Sequence, residues 1–187
     1  MCSSDLGLTR LFGRNYRIEA KEHVDRMEGD LVEAESANPS ERAYQRLLPE
    51  VDHLPPTHRR KWLYYKLFPN VAFDIYPDQV DFMQFLPVSA TETVIREISY
   101  ALPDDRREMR AARQLNWRIN RRVNTEDTEL ITRVQLGMQS PTYEPGPLGT
   151  SEVCLRSFAK KLRRMIPQAR LPEPPPRGWS LRNAGSA

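Results

Sequence analysis

The chain has 187 residues, enough for one domain and short for two. Hydrophobic residues make up 39% and charged ones 28%, and no apolar run approaches the roughly 18 residues of a spanning helix, which excludes a helical membrane span. With 28 Lys and Arg against 25 Asp and Glu, the net charge of +3 is a weak footprint for nucleic acid, and Cys2 and Cys154 are too few for a disulfide framework or a thiolate metal cluster.

The first ten residues lack the basic start, apolar run and cleavage site of a secretory signal, so a cytoplasmic location is expected. Residues 1–56 show little periodicity and are expected to form a weakly structured segment that is connection rather than core, the sign of a longer protein truncated upstream. Within it, residues 40–48 read as a short helix capped by Ser40, with Ala43, Tyr44, Leu47 and Leu48 on its buried side. The folded part is expected at 57–166. Aromatics crowd 61–68 before the turn Pro69-Asn70; then Val71, Phe73 and Ile75 alternate with Ala72, Asp74 and Tyr76. Beyond Pro77-Asp78, Val80, Phe82, Gln84 and Leu86 alternate with Asp81, Met83 and Phe85, and 92–100 alternates again. Four strands joined by short turns make an antiparallel meander, and such a sheet covers one face with helices, giving an α+β fold.

Pro103-Asp104-Asp105 opens a helix whose stripe is Met109, Ala112, Asn116, Ile119 and Val123; Leu130, Ile131, Val134 and Met138 continue its period in a second segment. Seven arginines between Arg106 and Arg122 read as its solvated face. A last helix over 152–165 is expected to bury Val153, Leu155, Phe158 and Leu162, and the Pro-rich tail 167–187, with Pro174-Pro175-Pro176, to be disordered or extended.

One carboxylate falls in an unexpected place. Asp127 lies on the apolar stripe, four residues after Val123 and three before Leu130. A buried carboxylate must be protonated, hydrogen-bonded, paired or bound to a metal. Two accounts stand at this point: Asn124 or Thr125 starts a new helix and Asp127 caps it, or Asp127 is a ligand. His53 and His58 have an H-x4-H spacing, but Pro55 and Pro56 prevent a helix from presenting both rings on one face, and Arg59-Arg60-Lys61 disfavours a cation. His23 reads as an exposed residue and Cys154 as a small buried apolar group.

The runs Tyr64-Tyr65-Lys66-Leu67-Phe68-Pro69-Asn70, Ile75-Tyr76-Pro77-Asp78 and Phe85-Leu86-Pro87, followed by Asn124-Thr125-Glu126-Asp127, by Val134-Gln135-Leu136-Gly137-Met138-Gln139-Ser140 and by Pro145-Gly146-Pro147-Leu148 with Glu152, resemble the catalytic domain of the large (alpha) subunit of Rieske-type aromatic ring-hydroxylating oxygenases. The resemblance spans about 49–167 and implies a partial helix-grip (Bet v1/START-like) fold around an apolar cavity. It implies a mononuclear Fe(II) held by two histidines and a carboxylate, the last at Asp127. It further implies a small aromatic or related organic substrate, O2, an NADH-dependent reductase or ferredoxin as electron donor, and a homotrimer. The [2Fe-2S] Rieske cluster belongs to the complete family protein and not to this chain, which has no C-x-H or C-x2-H pair. The family's iron-binding histidine pair is also absent upstream of Tyr64, so the chain is expected to be an incomplete C-terminal part, inactive alone. The competing readings are a non-catalytic module that holds an apolar ligand or docks a partner, and nucleic-acid binding through the arginine-rich helix.

Overall fold

Strands in this chain form where aromatic and β-branched residues alternate between proline and asparagine turns, and the computed structural model, which describes residues 16–31, 36, 38–150 and 152–171, shows six of them. They are β1 (Arg17–Ala20), β2 (Val24–Asp30), β3 (Lys61–Leu67), β4 (Val71–Ile75), β5 (Val80–Pro87) and β6 (Thr93–Tyr100), antiparallel neighbours in sequence order within one sheet. Among the described residues three α-helices accompany them: α1 (Pro39–Leu47), α2 (Arg107–Met138) and α3 (Val153–Met165). The architecture is α+β, a six-stranded antiparallel meander packed with helices.

The four expected strands are present. The segment expected to be weakly structured, 1–56, contributes β1, β2 and α1 among its described residues and belongs to the same sheet. Its strand β2 escaped hydrophobic patterning because what it buries is charged. Asp25 and Glu28 are buried, Asp25 against Lys161 Nζ at 2.9 Å and Ser157 Oγ at 3.1 Å, Glu28 against Arg26 and Lys61. The Asp25 contacts also tie α3 to the sheet. Most of the Pro-rich tail lies outside the described residues; Pro167–Arg170 is a short 3-10 turn.

The register decides which face of the sheet meets the helices. Tyr64 stands opposite Asp74, Asp74 opposite Asp81, and Asp81 opposite Ser99, so these side chains share one face. Trp62 lies on that face too and donates its indole N–H to Tyr44 Oη of α1 at 3.1 Å. Lys66, also there, sits 4.3 Å from the Phe158 ring centre of α3. All three helices therefore meet the face that carries the acids, while Val71, Phe73, Ile75, Val80 and Phe82 point the other way and are half-buried.

The core is aromatic. Tyr44, Leu48, Trp62, Tyr76, Ala112 and Ile119 cluster where α1 and the first half of α2 cover β3 and β4. Trp62 meets Tyr44 and Tyr76 edge-to-face, with ring centres 5.4 and 4.8 Å away.

Three helix details differ from expectation. The cap of α1 is Asn38, not Ser40: Asn38 Oδ1 accepts from the Ser40 amide at 2.9 Å. Asn38→Ala is therefore expected to cost about 1 kcal/mol and Ser40→Ala a few tenths, measured by urea denaturation; equal costs would contradict the assignment. Second, α2 is one continuous helix of 32 residues, without a break at Asn124. Third, its stripe is buried only as far as Ile119: Leu130, Ile131, Val134 and Met138 are exposed among the described residues, as are Val153 and Leu155 of α3.

Candidate functional site

On the inward stripe of α2 two positions that would ordinarily be apolar are asparagines one turn apart. Asn116 Nδ2 donates to both carboxylate oxygens of Asp78, at 3.2 and 3.3 Å; Asn120 Nδ2 donates to Asn116 Oδ1 at 2.7 Å and to Tyr76 Oη at 3.0 Å. Asp78, in the turn between β4 and β5, also accepts from Tyr44 Oη at 2.6 Å, while its backbone carbonyl accepts from Arg113 Nε at 3.1 Å. Tyr76 Oη donates on to Asp74 Oδ2 at 3.2 Å. This network joins α1, α2 and the β4–β5 turn through groups removed from water, where a satisfied hydrogen bond is strong and a missing partner costly. Burial raises the Asp78 carboxyl above its usual range, opposed by the Tyr44 and Asn116 bonds, and pushes both tyrosine hydroxyls up.

Next to the network lies a cavity of about 530 Å³ between the last two strands and the middle of α2. Asp81, Glu97, Gln79 and Ser99 line its sheet side; Trp117, Asn120, Arg121, Asn124, Thr125, Thr128 and Glu129 line its helix side. Asp74, outside the lining, stands opposite Asp81 on the same face of the sheet, so three acids lie close together there. Desolvation, which outweighs the Tyr76 hydrogen bond and is reinforced by Asp81 and Glu97, holds the Asp74 carboxyl up at about 7. Burial raises Asp81 and Glu97 as well. A half-open cavity of this size can hold a small organic molecule, and the polar side chains along its mostly apolar walls can orient one.

Asp127 is half-buried in the interior of α2, roughly three turns from the helix's nearer end. Its near neighbours Asn124 and Thr128 line the cavity. The capping account fails here, because the helix runs through: Thr125 Oγ1 and Thr128 Oγ1 donate back to the carbonyls of Arg121 and Asn124, four residues earlier, and no helix starts at this point. His53 lies at the other end of α2, in a second cavity of about 350 Å³ with Met109 and Arg113. The rise from Arg113 to Asp127 is about 21 Å, so His53 does not converge with the carboxylate. His23 is exposed, His58 half-buried beside Thr57, and Cys154 half-buried.

Among the described residues no group of three or more His, Cys, Asp or Glu is placed to hold a metal ion. A site of two imidazoles and a carboxylate is thus not assembled among the described residues. Asp74, Asp81 and Glu97 were not singled out from the sequence. The signal was available: acids alternate with apolar residues along strands that the register sets side by side.

The family model for the ring hydroxylating alpha subunit (catalytic domain) matches residues 3–168. No curated protein matches the chain. Among solved structures, the chain is similar to the quaternary ammonium Rieske monooxygenase CntA bound to an inhibitor, at 15% identity and a TM-score of 0.49, covering 75% of this chain and 34% of that one. A second structure of a quaternary ammonium Rieske monooxygenase, described for carnitine oxidation by gut microbiota and inter-subunit electron transfer, is 14% identical with a TM-score of 0.49, covering 74% and 33%. The chain spans about a third of the length of these structures.

Proposed function

The chain belongs to the ring hydroxylating alpha subunit (catalytic domain) family, and from that membership we propose that it is the C-terminal catalytic part of a cytoplasmic Rieske non-haem iron oxygenase that hydroxylates a small aromatic or related organic substrate with O2. Asp127 would supply the carboxylate ligand of the mononuclear Fe(II). The observation that carries this reading is the position of Asp127: half-buried, inside an unbroken helix, next to residues that line the cavity. When bound, the iron supplies the activation of dioxygen. The chain's own part is to hold the substrate and to orient it between Asn120, Asn124 and Thr128 on one side and Ser99 and Gln79 on the other. The two histidines come from outside the described residues, and the electrons from an NADH-dependent reductase or ferredoxin through a Rieske [2Fe-2S] cluster, within a homotrimer.

Affinity for iron comes from several placed ligands together, so the chain alone is expected to bind Fe(II) weakly and to be inactive. The test uses the subunit that joins this domain to its histidine pair and Rieske cluster. There Asp127→Ala is expected to remove mononuclear iron and hydroxylation while the visible spectrum of the cluster persists. A variant that keeps one mononuclear iron per subunit would overturn the assignment. The exposed apolar residues Leu130, Ile131 and Val134 favour the second reading, a partner-docking module, for which the same variant would leave oxidation intact.

A further inference from the structure

The arginines of α2 form more than a solvated face. Arg107, Arg110, Gln114, Trp117, Arg118 and Arg121 follow one another at spacings of three and four or fewer, which sets them in one row about 21 Å long on the side of the helix opposite Met109, Ala112, Asn116 and Ile119. Arg107, Arg110 and Arg118 are exposed, and among the described residues none has a carboxylate within ion-pair distance. Two of the acids nearby are engaged elsewhere: Asp104 is held by Arg106 at 2.7 Å and Glu126 by Arg122 at 3.0 Å. At the edge of the row, where it meets the rim of the cavity that both residues line, Trp117 is 51% exposed and the Arg121 guanidinium lies 5.0 Å from its ring centre.

We propose that this row is a docking surface for an acidic protein. Uncompensated arginines offer planar forks that match carboxylates two bonds at a time, and Trp and Arg are both enriched among the residues that dominate binding energy at protein interfaces. Nucleic acid fits less well. Glu108 and Glu129 flank the row on the same helix, and the chain is close to charge balance, so a continuous polyanion would meet repulsion where separate carboxylates can be matched one by one.

Poly-L-glutamate serves as the probe. The protein is expected to be retained on it at low salt and released as ionic strength rises through about 0.15 M, where the screening length falls to roughly 8 Å. The triple variant Arg107→Glu, Arg110→Glu, Arg118→Glu is expected to lose at least about tenfold in affinity, while the control pair Arg163→Glu, Arg164→Glu at the end of α3 keeps wild-type retention. Should the triple variant fail to fold, as judged by circular dichroism, the single changes to Gln are expected to weaken retention by about twofold to threefold each and to combine additively in free energy. Unchanged retention of the α2 variants, an equal loss in the α3 control, or preferential binding to duplex DNA would each overturn the proposal.

Discussion

Asp74→Asn is expected to stabilise the protein by roughly 2–4 kcal/mol near pH 8 and to change its stability little near pH 4. In the unfolded chain the carboxyl titrates close to 3.8, and in the native state at about 7, because its site beside Tyr76, Asp81 and Glu97 disfavours charge. Between those values the native protein keeps a proton that the unfolded chain has released. Native stability therefore falls as pH rises from about 4 to about 7, and the full penalty applies above it. Three units correspond to about 4 kcal/mol, which sets the upper limit. Asparagine removes the charge and keeps an oxygen for the Tyr76 hydroxyl, 3.2 Å away in the wild type. Urea denaturation of both proteins across this range measures the difference; a gap that does not widen with pH would mean that Asp74 carries its charge without cost.

Trp62→Ala is expected to cost about 3–5 kcal/mol, a large part of the 5–15 kcal/mol that holds a typical domain together. The side chain is fully buried, and truncation leaves a cavity between Tyr44 and Tyr76, whose rings meet the indole edge-to-face. It also removes the N–H that binds Tyr44 Oη, the hydroxyl that donates to Asp78. Trp62→Phe keeps much of the volume and loses the donor, so it is expected to cost about 1–3 kcal/mol. If the alanine variant unfolds at the wild-type urea midpoint, the aromatic cluster is not the centre of the fold.

Strands β3 to β6 were legible because aromatic and β-branched residues alternate there between turns. Strands β1 and β2 were not, since hydrophobic periodicity cannot register a strand that buries Asp25 and Glu28 through Lys161, Arg26 and Lys61. Lys161 lies far along the chain from Asp25, and nothing local announces the pair. Alternation marked two faces in β4 and β5 without saying which one the helices cover; they cover the one with Asp74, Tyr76 and Asp81, because Asn116 and Asn120 supply hydrogen bonds there in place of apolar contact. The stripe of α2 was legible through Ile119, including Asn116, but not its continuity. Asn124-Thr125-Glu126-Asp127 has the composition of a helix start, yet the threonine hydroxyls bond back along a helix that passes through them. Spacing alone set Asp127 on the apolar stripe but did not show that the stripe is buried only as far as Ile119, and the cavity lined by Asn124 and Thr128 needed the register of β5 and β6.

That continuity removes the capping account for Asp127. Asp127 lies inside the helix, with its sequence neighbours Asn124 and Thr128 in the cavity wall and the exposed residues Leu130, Ile131 and Val134 after it. The most direct measurement is anomalous X-ray diffraction at the iron edge on crystals of the iron-loaded subunit that contains this domain. The account predicts an iron peak within coordination distance of an Asp127 carboxylate oxygen, completed by two imidazoles from outside the described residues. An iron peak remote from Asp127, with that carboxylate turned to solvent or satisfied by a cation of the protein, would contradict it.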